Sequence, residues 1–255
     1  MIGAIAGDMI GSIYEWNPIK TKSFPLFQPE CFFTDDTVLT VAVANAILTG
    51  ESYLNSVRKI GKRYPNSGYG GSFFDWLYSP HTEAYNSWGN GSAMRVSPVA
   101  FAFDTEDEVL REAKKSAVIT HDHPEGVKGA EAAALAVFLA RTGNSKEQIR
   151  EQISKRFKYD LSRSVDDIRP KYQFDVSCQG TVPEAIIAFL DSTSYEDAVR
   201  NAISLGGDAD TLACITGSIA EAYYQGVPKT VKAKVRELLP PDLLEITDAF
   251  CNKYT

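Results

Sequence analysis

Residues 36–48 read DTVLTVAVANAIL, and this stretch decides the fold. Such an apolar run, with Thr34 and Asp35 standing before it to receive the first free N–H groups, reads as a buried helix. Working outward, residues 52–63 and 106–119 show helical periodicity with charged faces. Residues 125–141, EGVKGAEAAALAVFLAR, are rich in alanine, as a helix surrounded by the core requires. Ser145 opens a helix over 146–157, with Glu147 and Gln148 near its first turn. Pro183 is expected to open another over 183–191, a position where a proline is tolerated. Residues 195–204, 209–224, 228–238 and 241–252 read as helices too. Short β-rich pieces such as Lys171–Val176 occur, but no series of alternating strands. The expected fold is all-α, a single domain over residues 1–255.

The length of 255 residues suffices for a sizeable core. A hydrophobic share of 44% with 23% charged residues is ordinary for a soluble globular protein. The net charge of -7 argues against a basic stripe for nucleic acid. No apolar window is long enough for a membrane span. The opening MIGAIAGDMIGSIYEW lacks a positive start and carries Asp8 and Glu15, so it does not read as a signal peptide. Cys31, Cys178, Cys214 and Cys251 are far apart with no CxxC, which fits free thiols in a reducing cytoplasm. Residues 64–92 are rich in Gly, Ser, Asn and aromatics; an irregular stretch so long is more often functional than filler.

Two constellations carry the chemistry. Thr34-Asp35-Asp36-Thr37 places adjacent carboxylates and hydroxyls at a helix start, hard oxygen ligands suited to Mg²⁺, Mn²⁺ or Ca²⁺. Gly206-Gly207-Asp208-Ala209-Asp210-Thr211 repeats the pattern before a second apolar helix, about 170 residues further on. Each alone is explained by helix capping and the helix dipole. Together they suggest four carboxylates on one site, whose repulsion two ions about 3.5–4 Å apart would relieve. In the first helix, Asp8, Gly11 and Glu15 fall on one face, with Glu15 at the helix end. Gly3, Gly7 and Gly11 recur every fourth residue and let another helix approach. Gly89-Asn90-Gly91-Ser92 leads into a helix with several backbone N–H groups, a cradle for phosphate. Arg95 follows it and is read as structural. His121 and His123 lack a third zinc ligand nearby, so a hydrogen bond to a sugar or phosphate suits them better.

The stretches GAIAGDMIGSIYE (3–15), TDDT (34–37), GYG (68–70), GNGSAMR (89–95), ITHDHPEG (119–126), VPEAI (182–186) and AISLGGDADT (202–211), taken in order, resemble the ADP-ribosylglycohydrolase family. That family includes the dinitrogenase-reductase-activating glycohydrolase and the ADP-ribosyl-acceptor hydrolases. The resemblance implies an all-α, orthogonally packed fold with two divalent cations, Mg²⁺ or Mn²⁺. It implies metal ligands at Thr34, Asp35, Asp36, Asp208, Asp210 and Thr211. Glu15 matches an acidic residue beside the metals; Glu15, Asp36 or Asp210 would supply the base. Gly89, Asn90, Gly91 and Ser92 match a pyrophosphate loop, and His121 a substrate contact. Tyr85 or Trp88 would stack on adenine. The implied reaction cleaves ADP-ribose from an acceptor, with an ADP-ribosylated protein or a small-molecule ADP-ribose conjugate as substrate and ADP-ribose as product. Nucleic acid enters only as a modified substrate. The alternatives are a metal-dependent phosphohydrolase of an ADP-ribose-like nucleotide and a non-catalytic ADP-ribose binder.

Overall fold

A computed structural model describes all 255 residues. The chain forms α1 (Ile2–Gly11), α2 (Asp35–Thr49), α3 (Tyr53–Gly61), α4 (Gly71–Tyr78), α5 (Gly91–Met94), α6 (Ser97–Ala102), α7 (Glu106–Ala117) and α8 (Pro124–Arg141). It continues through α9 (Lys146–Phe157), α10 (Val165–Ile168), α11 (Cys178–Leu190), α12 (Tyr195–Ser204), α13 (Ala209–Tyr223), α14 (Lys229–Leu238) and α15 (Pro241–Tyr254). The all-α expectation holds. The one β feature is an isolated antiparallel bridge between Gly89 and Ser177, so the β-rich piece Lys171–Val176 forms no strand. No helix is long and apolar enough to cross a membrane.

The helices start where short polar side chains catch free N–H groups. The Thr34 hydroxyl accepts from the Asp36 N–H, and Ser145 with Gln148 closes a reciprocal capping box at α9. One apolar core runs through the molecule. Its centre is α8, α11 and α13, which pack on one another. Alanines and glycines permit this crowding. Ala132, Ala133, Ala134, Ala136 and Ala140 of α8 are all buried, and α13 is buried over nearly its whole length.

Helix α1 lies along α13. The expected glycine stripe is the reason. A Cβ on Gly3 would stand 2.4 Å from the Gly217 carbonyl oxygen, one on Gly7 2.0 Å from that of Ala213, and one on Gly11 2.5 Å from the Asp210 Cα. Only hydrogen at these positions allows so close an approach. Two expectations need correction. Helix α1 ends at Gly11, and Glu15 lies in the turns beyond it. The helix stops where the Ser12 hydroxyl donates to the Met9 carbonyl and accepts from the Phe32 N–H, tying the chain to the next loop. Pro183 sits inside α11 rather than at its start. The Ser177 hydroxyl, six residues before Pro183, caps the helix by accepting from the Gly180 N–H.

Candidate active site

The turns after α1 and the starts of α2, α5 and α13 meet at a cleft of about 690 Å³. Glu15, Asp35, Asp36, Asp208, Asp210 and Thr211 line it. The two acidic clusters therefore converge: the Thr211 hydroxyl donates to Asp36 Oδ2 at 3.3 Å, across 175 residues of sequence. Carboxylate oxygens of Asp8, Asp36 and Asp210 lie within 4.8 Å of one another, as do those of Glu15, Asp208 and Asp210. The N-terminal ends of α2 and α13 carry partial positive charge, which favours acids there. Capping explains only part of this. Thr34 does cap α2, but the Asp208 side chain makes no cap bond to α13 and instead accepts from Asn90 Nδ2 at 2.7 Å.

Asp8 ties the arrangement together, a role its sequence position did not reveal. Fully buried, it accepts from the Thr34 N–H at 2.9 Å, the Thr34 hydroxyl at 2.7 Å and the Thr37 N–H at 3.1 Å, with the Thr37 hydroxyl as a fourth donor. Thr34 is thus occupied by Asp8 and by capping, and it does not line the cleft. Asp36 Oδ1 is buried with no hydrogen-bond partner. The paired glycines before Asp208 turn the chain in the left-handed region, at φ +68° for Gly206 and +92° for Gly207. The Lys20 ammonium clamps this turn by donating to the Leu205 and Tyr172 carbonyls.

The electrostatic consequence is direct. Burial raises the Asp8 carboxyl to about 6 despite its donors. Burial, then repulsion from Asp208 and Asp8, raises half-buried Glu15 to about 7. Burial and mutual repulsion push Asp35, Asp36 and Asp210 well above the usual carboxylate range. Clustered oxygen donors, an unpartnered buried carboxylate oxygen and unrelieved like charge together fit a hard divalent cation.

On the other wall, Asn90 donates through its backbone to the Val176 carbonyl at 2.8 Å, and Cys178 through its own to the Trp88 carbonyl at 3.0 Å. This pins the Gly89–Ser92 loop to the start of α11. The N–H groups of Gly91 and Ser92 make no hydrogen bond. The Ser92 hydroxyl points away, donating to the Gly126 carbonyl at 2.7 Å. His121 is buried and lines the cleft. His123 instead caps α8 by accepting from the Glu125 N–H, so the two histidines do not act as a pair. Tyr85 and Trp88 line the cleft, Trp88 half exposed at 48%. Arg95 is fully buried and donates to the Ser116 carbonyl and the Thr120 hydroxyl, so its structural reading holds, although its side chain also reaches the cleft.

The class these features define is an all-α protein with an acidic cleft built from helix starts. Residues 1–255 match the ADP-ribosylglycohydrolase family, and the chain belongs to it. Among its relatives, ADP-ribosylhydrolase ARH3 of Mus musculus is 27% identical over 304 residues, covering 88% of this chain and 82% of that protein. ADP-ribosylhydrolase ARH3 of Homo sapiens is 26% identical, covering 88% and 84% respectively. A solved structure described as an ADP-ribosylglycohydrolase-related protein complex shares the fold, with a TM-score of 0.77 and 22% identity, covering 100% of this chain and 97% of that one.

Proposed function

We propose that this protein hydrolyses the bond between the distal ribose of an ADP-ribose unit and its acceptor, releasing ADP-ribose. The observation that carries this reading is the meeting of Asp36 and Thr211, from opposite ends of the sequence, in a cleft that also holds Glu15. Asp35, Asp36, Asp208, Asp210 and Thr211 would hold two divalent cations, Mg²⁺ or Mn²⁺, with Thr34 orienting the first cluster through Asp8. Such ions lower the pKa of a bound water and polarise sugar oxygens.

The chain's own residues supply the rest. Glu15, half-buried at the edge of the cleft beside these carboxylates, is placed to take a proton from water and to give it up again. The surrounding carboxylates stabilise positive charge developing on the ribose ring. The free N–H groups of Gly91 and Ser92, with His121, would receive the pyrophosphate. Tyr85 or Trp88 offers a face for adenine. The substrate is then an ADP-ribosylated protein or a small-molecule ADP-ribose conjugate, and a cytoplasmic location fits four free thiols.

Incubation with a panel of defined ADP-ribosylated acceptors tests this. Free ADP-ribose should appear with Mg²⁺ or Mn²⁺, vanish with EDTA and return when metal is restored. Full activity in metal-free buffer would overturn the metal assignment. AMP and ribose phosphate formed from ADP-ribose would move the activity to a phosphohydrolase. Tight ADP-ribose binding without turnover of any acceptor would make the protein a binder.

A further inference from the structure

His121 does not stand alone behind the Gly89–Ser92 loop. Its Nδ1 lies 2.7 Å from the Thr120 hydroxyl oxygen, and that oxygen lies 2.8 Å from Arg95 Nη2. All three side chains are buried, Arg95 and Thr120 completely. The direction of these hydrogen bonds follows from elementary inventory. A guanidinium only donates, so Thr120 Oγ1 accepts from Arg95. The Thr120 hydroxyl has one proton, and its hydrogen-bond partners are Arg95 and His121 alone. If it also accepted from an Nδ1–H, its own proton would be buried without an acceptor, an unfavourable arrangement. The hydroxyl therefore donates to Nδ1, and the imidazole proton resides on Nε2.

Nε2 faces the cleft loop. It lies 3.2 Å from where a Cβ on Gly91 would stand and 3.6 Å from one on Gly89. An Nε2–H there joins the free N–H group of Gly91 on one side of the cleft. Arg95 adds a second ingredient. It has no carboxylate partner, and its Nε and Nη1 are buried with no hydrogen bond. Burial, and after it the Arg95 charge, holds His121 well below the ordinary histidine range, so the ring stays uncharged while its donor remains in place.

We propose that Thr120, itself oriented by Arg95, is a positioning residue that fixes His121 as the Nε2–H tautomer, so that His121 presents a hydrogen-bond donor to an anionic oxygen of the ligand at the Gly89–Ser92 loop. The ligand half of this statement rests on the pyrophosphate reading above; the tautomer half does not.

The test separates the two. The chain has three histidines, which ¹⁵N labelling with long-range ¹H–¹⁵N correlation can resolve, His121→Gln assigning the signal. Wild type should show the His121 pattern of a neutral Nε2–H ring without any ligand. Thr120→Val should shift the ring towards the Nδ1–H form, and Thr120→Ser should restore it. Calorimetry with ADP-ribose should then show binding weakened about tenfold in Thr120→Val, the loss of roughly one hydrogen bond, and near wild-type affinity in Thr120→Ser. A wild-type Nδ1–H pattern overturns the proposal even if Thr120→Val fails to fold. Unchanged ADP-ribose affinity in Thr120→Val with a shifted tautomer overturns the donor role. No ADP-ribose binding by wild type, with the Nε2–H pattern intact, refutes the pyrophosphate reading, and with it the assigned ligand, but leaves the tautomer assignment standing.

Discussion

Glu15 is the residue on which the proposed chemistry turns. It is half-buried, it lies beyond the end of α1, and burial with repulsion from Asp208 and Asp8 brings it to about 7. Glu15→Gln keeps the shape and removes both the charge and the proton-accepting oxygen. Turnover should fall by roughly 10²–10⁴, while ADP-ribose affinity stays within a few-fold of wild type, because the loop proposed to take the pyrophosphate is on the other wall. Steady-state kinetics beside calorimetry measures both; an unchanged turnover number would move the base to an aspartate. The sequence pointed to Glu15 for a reason the fold does not support. A helical i, i+7 spacing from Asp8 placed it, yet the helix has ended and the turns bring it to the cleft. Asp8 shows the converse. Its environment is made by Thr34 and Thr37, donors 26 and 29 residues away, so nothing local marks it as the hub of the site.

At the scale of the element, the decisive contact is α1 against α13, since α1 carries Asp8 and α13 carries Asp210. Gly7→Val would drive side-chain atoms into the Ala213 carbonyl, which already lies 2.0 Å from an ideal Cβ position. The obstacle is backbone, so the helices must part, at about 1–3 kcal/mol or more. Chemical denaturation should record that loss. Mn²⁺ titration should show weaker binding as well, because parting the helices separates Asp8 from Asp210. Wild-type stability in this variant would mean that the stripe is not the packing seam. The glycine period was legible in the sequence, as were α2, α8, α9 and α12, where apolar spacing and caps agree. The elements that sequence reading missed share a physical cause. In α4 the segment GSFFDWLY mixes glycine and aromatics without a polar face, and α10 is a single turn of four residues, too short to show a period. Pro183 misled because prolines favour first turns, whereas Ser177 caps α11 earlier and the core holds the helix through the break.

For the whole molecule, stability and site electrostatics are one quantity. The converging carboxylates could be read from two Thr/Asp clusters, but their distance from each other could not; that depends on α1, α2 and α13 packing as they do. The cost of gathering them is measurable. Burial raises the native pKa of Asp8, and burial with like charge raises those of Glu15, Asp35, Asp36 and Asp210. A raised native pKa means that the folded state retains protons the unfolded state releases, so stability falls as pH climbs from the unfolded value of about 4 towards the native one. For Asp8 and Glu15 that window closes near about 6 and about 7. Carboxylates with lowered values, such as Asp197 and Asp242, act in the opposite sense but below the ordinary range, outside this window. His121, held low, also opposes the trend up to about 6.5, one group against five. Metal-free protein should therefore melt at a lower temperature at pH 8 than at pH 5.5. Mn²⁺ or Mg²⁺ should raise the melting temperature more at pH 8, by mass action on ionised ligands. Asp36→Asn and Asp210→Asn each remove one repelling charge, so each should flatten the metal-free pH dependence and reduce the metal-induced gain. Turnover should be lost in either single variant and fall little further in the double, as groups acting as a unit do. Were the two clusters merely helix caps, each change would cost about 0.5–2 kcal/mol of stability, additively, and metal would leave all the melting curves where they were.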